Sequence, residues 1–228
     1  MDNRFQRLEL LYGKENVKKI EDSKILILGL GGVGGYVVEA LSRCGINNFI
    51  LVDFDKVDLT NINRQIIALE DTVGMYKADL FKDRIKKINK ECSVEIVKEF
   101  IDESNYLKLF SSKIDFVVDA IDSIKTKELV IKYCLDNNIN IISSMGTGNR
   151  VDPSKFEITD IRKTSYDPIA RRLRKYLKDN NINKKLNVCF SREVPKNKHI
   201  DTIPSNSFVP ASAGLLIASY VINKIVNN

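Results

Sequence analysis

The chain has little of several residue types on which specialised sites depend. Its 228 residues include no tryptophan, one histidine and four cysteines. No apolar run approaches the roughly 18 residues of a membrane span, and no apolar stretch follows a basic head at the N-terminus. We therefore predict that the protein has neither a membrane anchor nor a secretion signal. Its predicted location is the cytoplasm. The cysteines form no Cys-x-x-Cys pair, which argues against a zinc site or a disulfide framework: Cys44, Cys92, Cys134 and Cys189.

The overall composition is that of a globular protein. Hydrophobic residues make up 43% and charged residues 29% of the chain, and 228 residues are enough for one large α/β domain with its own core. The net charge of +6 is a moderate basic excess. On its own it indicates no more than affinity for something anionic, so the location of the charge matters more than its sum.

A glycine-rich loop between a strand and a helix is the strongest single signal. An apolar run at 24–28 leads directly into Gly29-Leu-Gly31-Gly32-Val-Gly34, and a helical pattern follows. A second apolar run ends at Asp53, about twenty residues beyond the loop. Glycines at this spacing let the backbone approach a phosphate at a helix N-terminus, and the acid accepts hydrogen bonds from ribose hydroxyls. The stretch predicts a nucleotide-binding β-α-β unit.

Strands and helices alternate along the first two thirds of the chain. Wholly apolar strands followed by amphipathic helices predict a parallel, doubly wound, Rossmann-like α/β sheet with helices on both faces. Ligands bind beyond the carboxyl ends of such strands, where the glycine loop, Asp53, Asp122 and Gly146 should converge. The predicted strands cover 24–28, 48–53, 93–97, 115–119, 139–143 and 156–161, and the predicted helices cover 4–21 (broken near Gly13), 74–89, 103–110, 124–137, 169–179 and 211–225.

Five polar residues near these strand ends go beyond what a simple dinucleotide site needs: Asn61, Arg64, Gln65, Lys77 and Asp122. Arginine and lysine together can neutralise a polyphosphate and its transition-state charge. A neighbouring carboxylate can hold Mg²⁺, which binds through one or two carboxylates and phosphate oxygens. The alternatives are that the two cations are surface salt-bridge partners and that the acid is a helix N-cap.

These motifs resemble one family of enzymes. The chain is similar to the E1-like adenylating enzymes, which share their fold with ubiquitin-activating enzymes and the bacterial sulfur-carrier activators. The resemblance covers roughly residues 4–150 and rests on Gly29-x-Gly31-Gly32-x-Gly34, Asp53-x-Asp55-x-Val57-x-x-x-Asn61-x-x-Arg64-Gln65, Val73-Gly74-x-x-Lys77 and Asp119-x-x-Asp122.

The resemblance implies ATP as the bound nucleotide. Asp53 would contact the ribose, and Asp122 would hold Mg²⁺. The phosphates would be contacted by Asn61, Arg64 and Lys77. A carboxylate would attack the α-phosphate, which releases pyrophosphate and leaves an acyl-adenylate. The residues expected to bind ATP are Gly29, Gly31, Gly32, Gly34, Asp53, Asp55, Asn61, Arg64, Gln65 and Lys77.

The resemblance also implies a homodimer. Arg7, in Arg4-Phe-Gln-Arg7, resembles the catalytic arginine that reaches into the neighbouring subunit's site in this family. Arg4 is an alternative for this role, and Arg7 could equally be an ordinary exposed helix arginine.

The last third of the chain decides the branch of the family. Asp152-Pro-Ser-x-Phe-x-Ile-Thr-Asp160, the stretch through Asp167-Pro168 to Arg174, and Phe208-Val-Pro210-Ala-Ser-Ala-Gly214 look like the bacterial tRNA threonylcarbamoyladenosine dehydratases. That branch activates the threonyl carboxylate of a modified adenosine, and an amide nitrogen of the same modification then closes a ring. The chain would be a single domain, with its nucleotide-binding core in 1–150 and its substrate-facing part in 151–228.

If the substrate is tRNA, a basic helix in this region is a candidate for binding it. Affinity for tRNA depends largely on phosphate contacts, although a solvated helix face is the plainer interpretation. The polar segment 180–207 is predicted to be mobile in part, and Cys189 within it is either functional or a small apolar residue. The residues expected to contact tRNA are Lys163, Arg171, Arg172, Arg174, Lys175 and Lys178.

Three rival functions stay open at this stage. The first is an activator of a ubiquitin-like or sulfur-carrier protein, against which the missing zinc ligands count. The second is an NAD-dependent oxidoreductase, and the third is a non-catalytic nucleotide-binding module; Arg64, Lys77 and Asp122 argue against both. A sulfur-relay protein is a further expected partner of the branch.

Overall fold

The architecture is described from a computed structural model, over residues 4–196 and 202–227. His199 and part of the segment 180–207 lie outside the described residues. The helices are α1 (Gln6–Tyr12), α2 (Lys14–Asp22), α3 (Gly34–Arg43), α4 (Lys77–Ile88), α5 (Ile124–Asp136), α6 (Pro168–Asp179) and α7 (Phe208–Val226). The strands are β1 (Lys24–Leu28), β2 (Asn48–Val52), β3 (Ser93–Val97), β4 (Phe116–Asp119), β5 (Asn140–Ser144), β6 (Phe156–Asp160) and β7 (Asn187–Ser191).

The seven strands form one sheet in the order β3-β2-β1-β4-β5-β7-β6. All neighbours are parallel except β6, which pairs antiparallel with β7 at the edge. The strand order reverses between β1 and β4, because the chain runs from β1 to β2 on one side and from β4 to β5 on the other. The loops that follow β1 and β4 therefore leave in opposite directions, and a crevice lies between them. The predicted parallel, doubly wound sheet is confirmed.

Each face of the sheet is covered by its own layer of helices. Alternate strand residues point to opposite faces, so Ile25 and Ile27 pack with α2, α3, α4 and α7, whereas Leu26 and Leu28 pack with α5 and α6. Both faces of β1 are therefore buried, as its continuous apolar run predicts. The break between the first two helices is also confirmed, at Gly13.

The segment 180–207 contains a strand that was not predicted from the sequence. Residues Asn187–Ser191 form β7, which lies inside the sheet between β5 and β6. Its burial is driven by apolar side chains at Leu186, Val188 and Phe190, each at most 1% exposed. Cys189 is fully buried on the opposite face, so its interpretation as a small apolar residue is confirmed by its packing.

Several helix boundaries also differ from the prediction. The helix predicted from Gly74 begins at Lys77, because Gly74 adopts a φ of +86° in the preceding turn. The helix predicted over 103–110 is a 3-10 turn at Tyr106–Phe110. The last helix begins at Phe208 rather than residue 211, since Pro210 lies in its first turn, where proline is tolerated.

Helix α7 is, within the described residues, long and apolar enough to cross a membrane by length and composition alone. This differs from the shorter apolar run expected from the sequence. One face of the helix is buried along its length, from Val209 to Ile222, against α3 and the sheet. That packing is the behaviour of a core helix.

Candidate active site

A pocket of about 480 Å³ lies at the carboxyl ends of the parallel strands, where the strand order reverses. It brings together nearly all the residues predicted to bind a nucleotide. Those that line it are Gly29, Gly31, Gly32, Asp53, Asp55, Asn61, Arg64, Gln65, Lys77 and Asp122. Gly34 lies beneath the loop, at the start of α3.

The glycines of the loop serve two different purposes. A Cβ on Gly34 would lie 1.8 Å from the Gly29 carbonyl oxygen, so this glycine lets α3 pack against the end of β1. A Cβ on Gly31 would meet only the side chain of Gln65, at 3.7 Å. Protein packing therefore requires glycine at position 34. At position 31, glycine instead keeps the backbone open to a ligand in the pocket.

These environments predict opposite outcomes for two alanine substitutions. Gly34→Ala should lower the free energy of unfolding by at least about 3 kcal/mol, because the methyl group overlaps a backbone oxygen that cannot move aside. Gly31→Ala should leave the urea midpoint unchanged and weaken ATP binding by roughly tenfold, or ~1.4 kcal/mol. Urea unfolding and calorimetric titration with ATP test the pair. Equal effects of the two substitutions on unfolding would contradict the assignment.

Asp53 is fixed by the backbone at the end of β2. Its Oδ2 accepts the Leu30 N–H at 2.7 Å and its Oδ1 accepts the Asp55 N–H at 2.8 Å. Burial raises the pKa of Asp53 above its ordinary value, while the nearby Lys77 ammonium and these two N–H groups act in the opposite direction. Each carboxylate oxygen accepts one backbone bond, and a second lone pair on each stays available for a ribose hydroxyl.

The cations of the pocket are held by neighbouring oxygen atoms. Lys77, with a side chain only 6% exposed, donates to Asp55 Oδ2 at 2.8 Å from the first turn of α4. Arg64 donates to the Thr60 carbonyl at 2.8 Å. Asn61 is buried, and its Oδ1 accepts the Asp58 N–H. Lys77 is thus a buried, oriented ammonium rather than the surface salt-bridge partner considered from the sequence.

Asp122 is exposed and lies in the loop between β4 and α5. The N-cap of α5 is Ser123, so the interpretation of Asp122 as a helix N-cap was wrong. The described residues contain no group of three or more metal-ligating side chains. An exposed carboxylate in this pocket is nevertheless a donor that suits Mg²⁺, which takes its other ligands from phosphates and water.

A buried ion pair beneath this loop was missed by the sequence analysis. Lys127 and Asp119 are both fully buried, and the ammonium lies 3.0 Å from each carboxylate oxygen. Lys127 also donates to the Ser144 carbonyl, which joins α5 to β5. Asp119 Oδ1 accepts the Ile121 N–H at 3.3 Å, so the pair supports the turn that carries Asp122.

The structure adds an unpartnered oxygen at the predicted residue Gln65 and an aromatic wall that was not predicted. Gln65 Oε1 is buried and has no hydrogen-bond partner among the described residues. An acceptor of this kind beside the glycine loop leaves a place for a donor from a ligand or water. The rings of Phe54 and Phe100, about half exposed, meet edge to face at 5.3 Å and give the pocket an apolar wall next to Asp53.

The basic helix α6 begins beside the pocket. Asp167 caps it by accepting the Ala170 N–H at 2.8 Å, and also accepts the Gly146 N–H at 3.0 Å from the pocket wall. The side chains of Lys163, Arg171, Arg172, Lys175 and Lys178 are exposed. Arg174 differs, because its guanidinium donates to the Ile161 and Thr164 carbonyls and to Thr164 Oγ1.

The N-terminal arginines lie away from this pocket. Arg7 is exposed on α1 and does not line the pocket of its own chain among the described residues. Arg4 instead donates to the Ile88 carbonyl at 2.6 Å and to Asn89 Oδ1 at 3.2 Å, at the end of α4. These hydrogen bonds therefore tie Arg4 to the end of α4 in its own chain.

Fold and pocket together define a nucleotide-binding α/β protein whose site is built for a polyphosphate. The chain belongs to the ThiF family, whose model matches residues 4–228.

Named relatives resemble the chain over nearly its whole length. It is 41% identical to the tRNA threonylcarbamoyladenosine dehydratase of Bacillus subtilis, over 100% of this chain and 96% of that protein. The structure of the Escherichia coli tRNA N6-threonylcarbamoyladenosine dehydratase in complex with ATP matches with a TM-score of 0.92 and 36% identity. The structure of the same protein with AMP matches with a TM-score of 0.93 and 36% identity. In both comparisons 98% of this chain and 94% of the other are covered.

Proposed function

We propose that the chain is an ATP-dependent tRNA threonylcarbamoyladenosine dehydratase. The carboxylate of the threonyl group attacks the α-phosphorus of ATP, which expels pyrophosphate and leaves a mixed acyl-adenylate anhydride. An amide nitrogen of the same modification then attacks the acyl carbon, loses its proton and expels AMP. The modified nucleoside loses one water, and ATP becomes AMP and pyrophosphate.

One observation carries the proposal. A single pocket combines an open glycine loop, a buried lysine and an exposed carboxylate, and the exposed cations of α6 begin at its rim. Hydride transfer needs only the first of these features, whereas displacement at a phosphate and capture of an RNA substrate need all of them. Relatives with the named activity span the chain from end to end, which supports the same conclusion.

The positions of the pocket residues support the roles that we assign to them. The glycine loop binds the phosphates through its N–H groups, and Asp53 accepts the ribose hydroxyls. Lys77 and Arg64 stabilise the negative charge that develops at the α-phosphate as the carboxylate attacks. Because the second nucleophile belongs to the same modification, its ring closure needs no acceptor protein and gains the advantage of proximity.

Mg²⁺ is part of the proposal, with Asp122 as its protein ligand. Bound there, the ion would neutralise phosphate charge and stabilise the leaving pyrophosphate. Asp122 is exposed in the pocket and makes no hydrogen bond or ion pair with another described side chain, so it is available for that role.

The product distinguishes this reaction from the others open to the family. tRNA carrying threonylcarbamoyladenosine is incubated with the enzyme and ATP and then digested to nucleosides, whose masses are measured by mass spectrometry. We expect a nucleoside that is lighter by one water and appears only when ATP is present. An unchanged nucleoside, together with pyrophosphate exchange driven by a carrier protein, would favour activation of a sulfur carrier instead.

We assign the binding of tRNA to the exposed cations of α6 and of the segment that precedes this helix. The triple variant Arg171→Ala, Arg172→Ala, Lys175→Ala should weaken tRNA binding and reduce the slope of log K against log salt by about 2 to 3. ATP binding should not change. Arg174 is omitted because its internal hydrogen bonds make it structural.

A matched control for this prediction lies on the opposite face of the sheet. Lys14, Lys18 and Lys19 of α2 are also exposed, and their replacement by alanine removes the same charge. That control variant should bind tRNA with the original salt dependence. If both triple variants lose the same affinity, only net charge matters, and α6 is a solvated face.

We further propose a homodimer in which α1 meets the partner subunit. Helix α1 has no buried residue. Two of its leucines, Leu10 and Leu11, are 82% and 73% exposed, and they lie beside the exposed Arg7. Such an apolar surface next to an arginine supports the role expected from the family resemblance, in which Arg7 completes the neighbouring site. Sedimentation velocity tests the assembly, and Leu10→Glu should shift the dimer toward the monomer.

A sulfur-relay partner and a cytoplasmic location complete the proposal. Burial raises the pKa of the Cys189 thiol to about 12, so this cysteine does not supply an accessible thiolate for such a partner. Contact with the partner would then involve other surfaces of the chain. The cytoplasm is where a tRNA substrate and ATP are both present.

A further inference from the structure

Tyr166 has an unusual backbone for an aromatic residue. Four non-glycine residues in the described chain have a positive φ, and three of them are asparagines, which tolerate this conformation. The fourth is Tyr166, with a φ of +54°. Bulky residues adopt this region only when their surroundings enforce it, and such residues concentrate at functional sites.

The surroundings of Tyr166 enforce this backbone from both sides. The Tyr166 carbonyl accepts a hydrogen bond from the guanidinium of Arg150 at 3.2 Å, and Arg150 is only 3% exposed. The next residue, Asp167, is buried and bonded to α6 and to Gly146 of the pocket wall. The ring itself contributes little to the core, since Tyr166 is 63% exposed. A rigid backbone thus presents an exposed aromatic ring.

The position of this ring matches the needs of a bound RNA strand. Ile169, three residues later, lines the nucleotide pocket, and the exposed cations Lys163 and Arg171 flank Tyr166 along the chain. A nucleotide whose modification enters the pocket must leave the stack of its neighbours. The neighbouring base then has an uncovered face, and aromatic rings between cations are how proteins cover such faces.

We propose that Tyr166 stacks on the nucleobase that flanks the modified adenosine of the tRNA substrate. This inference rests on the proposed function, and it makes Tyr166 a binding residue for RNA rather than for ATP. The ring is absent from the lining of the nucleotide pocket, whose apolar wall is formed by Phe54 and Phe100.

The test uses two variants of the full-length enzyme and an RNA hairpin that carries the modified adenosine. Tyr166→Phe keeps the ring. Tyr166→Asn removes it but retains a residue suited to the positive φ, so the fold is preserved. We expect Tyr166→Asn to raise KM for the hairpin roughly 5- to 150-fold, the equivalent of one base–aromatic stack. Its kcat and its KM for ATP should change little, and Tyr166→Phe should behave as the original enzyme.

A second hairpin, in which the flanking bases are replaced by abasic sites, completes a double-mutant cycle between the ring and those bases. If the ring stacks on one of those bases, the abasic hairpin lowers the affinity of the original enzyme but not that of Tyr166→Asn. The stacking role would be overturned if the abasic sites and Tyr166→Asn each raised KM and their effects multiplied when combined. It would also be overturned if Tyr166→Asn left KM unchanged. A change in dimer dissociation would overturn it too and assign Tyr166 to a subunit interface. If the original enzyme used neither this hairpin nor whole tRNA that carries the modification, the proposed function and this inference would both be overturned; if it used only whole tRNA, the same variants would be compared on whole tRNA.

Discussion

Replacing Lys77 by alanine is expected to lower the rate of AMP formation by at least about 10²- to 10³-fold, the usual cost of losing one transition-state donor. The ammonium is fixed in the first turn of α4 and is almost fully buried, at 6% exposure, beside the carboxylate of Asp55. It is therefore already oriented before the charge on the α-phosphate develops. Quenched-flow measurement of AMP at saturating ATP tests the effect.

The fold should survive this substitution. Asp55 is 49% exposed, so the carboxylate that loses its partner stays solvated, and the thermal midpoint should change little. Lys98→Ala is the matched control, because Lys98 is likewise paired with an aspartate, at 3.0 Å, but lies outside the pocket lining. A Lys77→Ala enzyme with full activity would remove this residue from the mechanism.

The second large effect is expected on stability. Lys127→Met should lower the free energy of unfolding by about 3 to 5 kcal/mol, because it leaves the fully buried carboxylate of Asp119 without its counter-charge. Urea denaturation measures the loss. Activity should fall as well, since Asp119 supports the turn that carries Asp122.

Two comparisons make this prediction specific. Lys132 lies on the same helix and pairs with Asp136 at 2.5 Å, but both side chains are about half exposed. Lys132→Met should therefore cost no more than about 1 kcal/mol. Adding Asp119→Asn to Lys127→Met should recover part of the lost stability, because no unpaired charge is left in the core. If Lys127→Met and Lys132→Met were equally mild, the buried pair would not support the site.

The nucleotide-binding half of the fold was predictable because its signals are local. The apolar run of β1, the glycines after it and the acid after β2 all lie within thirty residues. Chain order alone then brings Asp53 and Asp122 to the same edge of a parallel sheet, which is where the pocket lies. The convergence of these two acids therefore depends on chain order and strand direction rather than on side-chain contacts.

The parts that were missed depend on contacts between distant segments. Strand β7 is short and polar at both ends, and its place in the sheet is decided by pairing with β5 and β6 rather than by its own pattern. The internal role of Arg174 depends in the same way on the carbonyls of Ile161 and Thr164. Such pairings leave little trace in the local sequence.

One missed residue did leave a signal. Lys127 occupies the apolar face of α5, four and seven residues before Ile131 and Cys134, both of which are fully buried. A lysine at helical spacing from buried residues indicates either a long side chain reaching water or a buried partner. The acid at the end of β4 is that partner, although nothing in the sequence alone singles out Asp119 over Asp122.

Adenylation of a tRNA carboxylate is best tested by measuring AMP release from ATP and Mg²⁺ with three kinds of tRNA. These are tRNA that carries threonylcarbamoyladenosine, the same tRNA without the modification, and tRNA already cyclised. We expect AMP only with the first, in a one-to-one ratio to the cyclised nucleoside formed. If AMP release were the same with unmodified tRNA, or required the C-terminus of a carrier protein, this pocket would not be a site that adenylates a tRNA carboxylate.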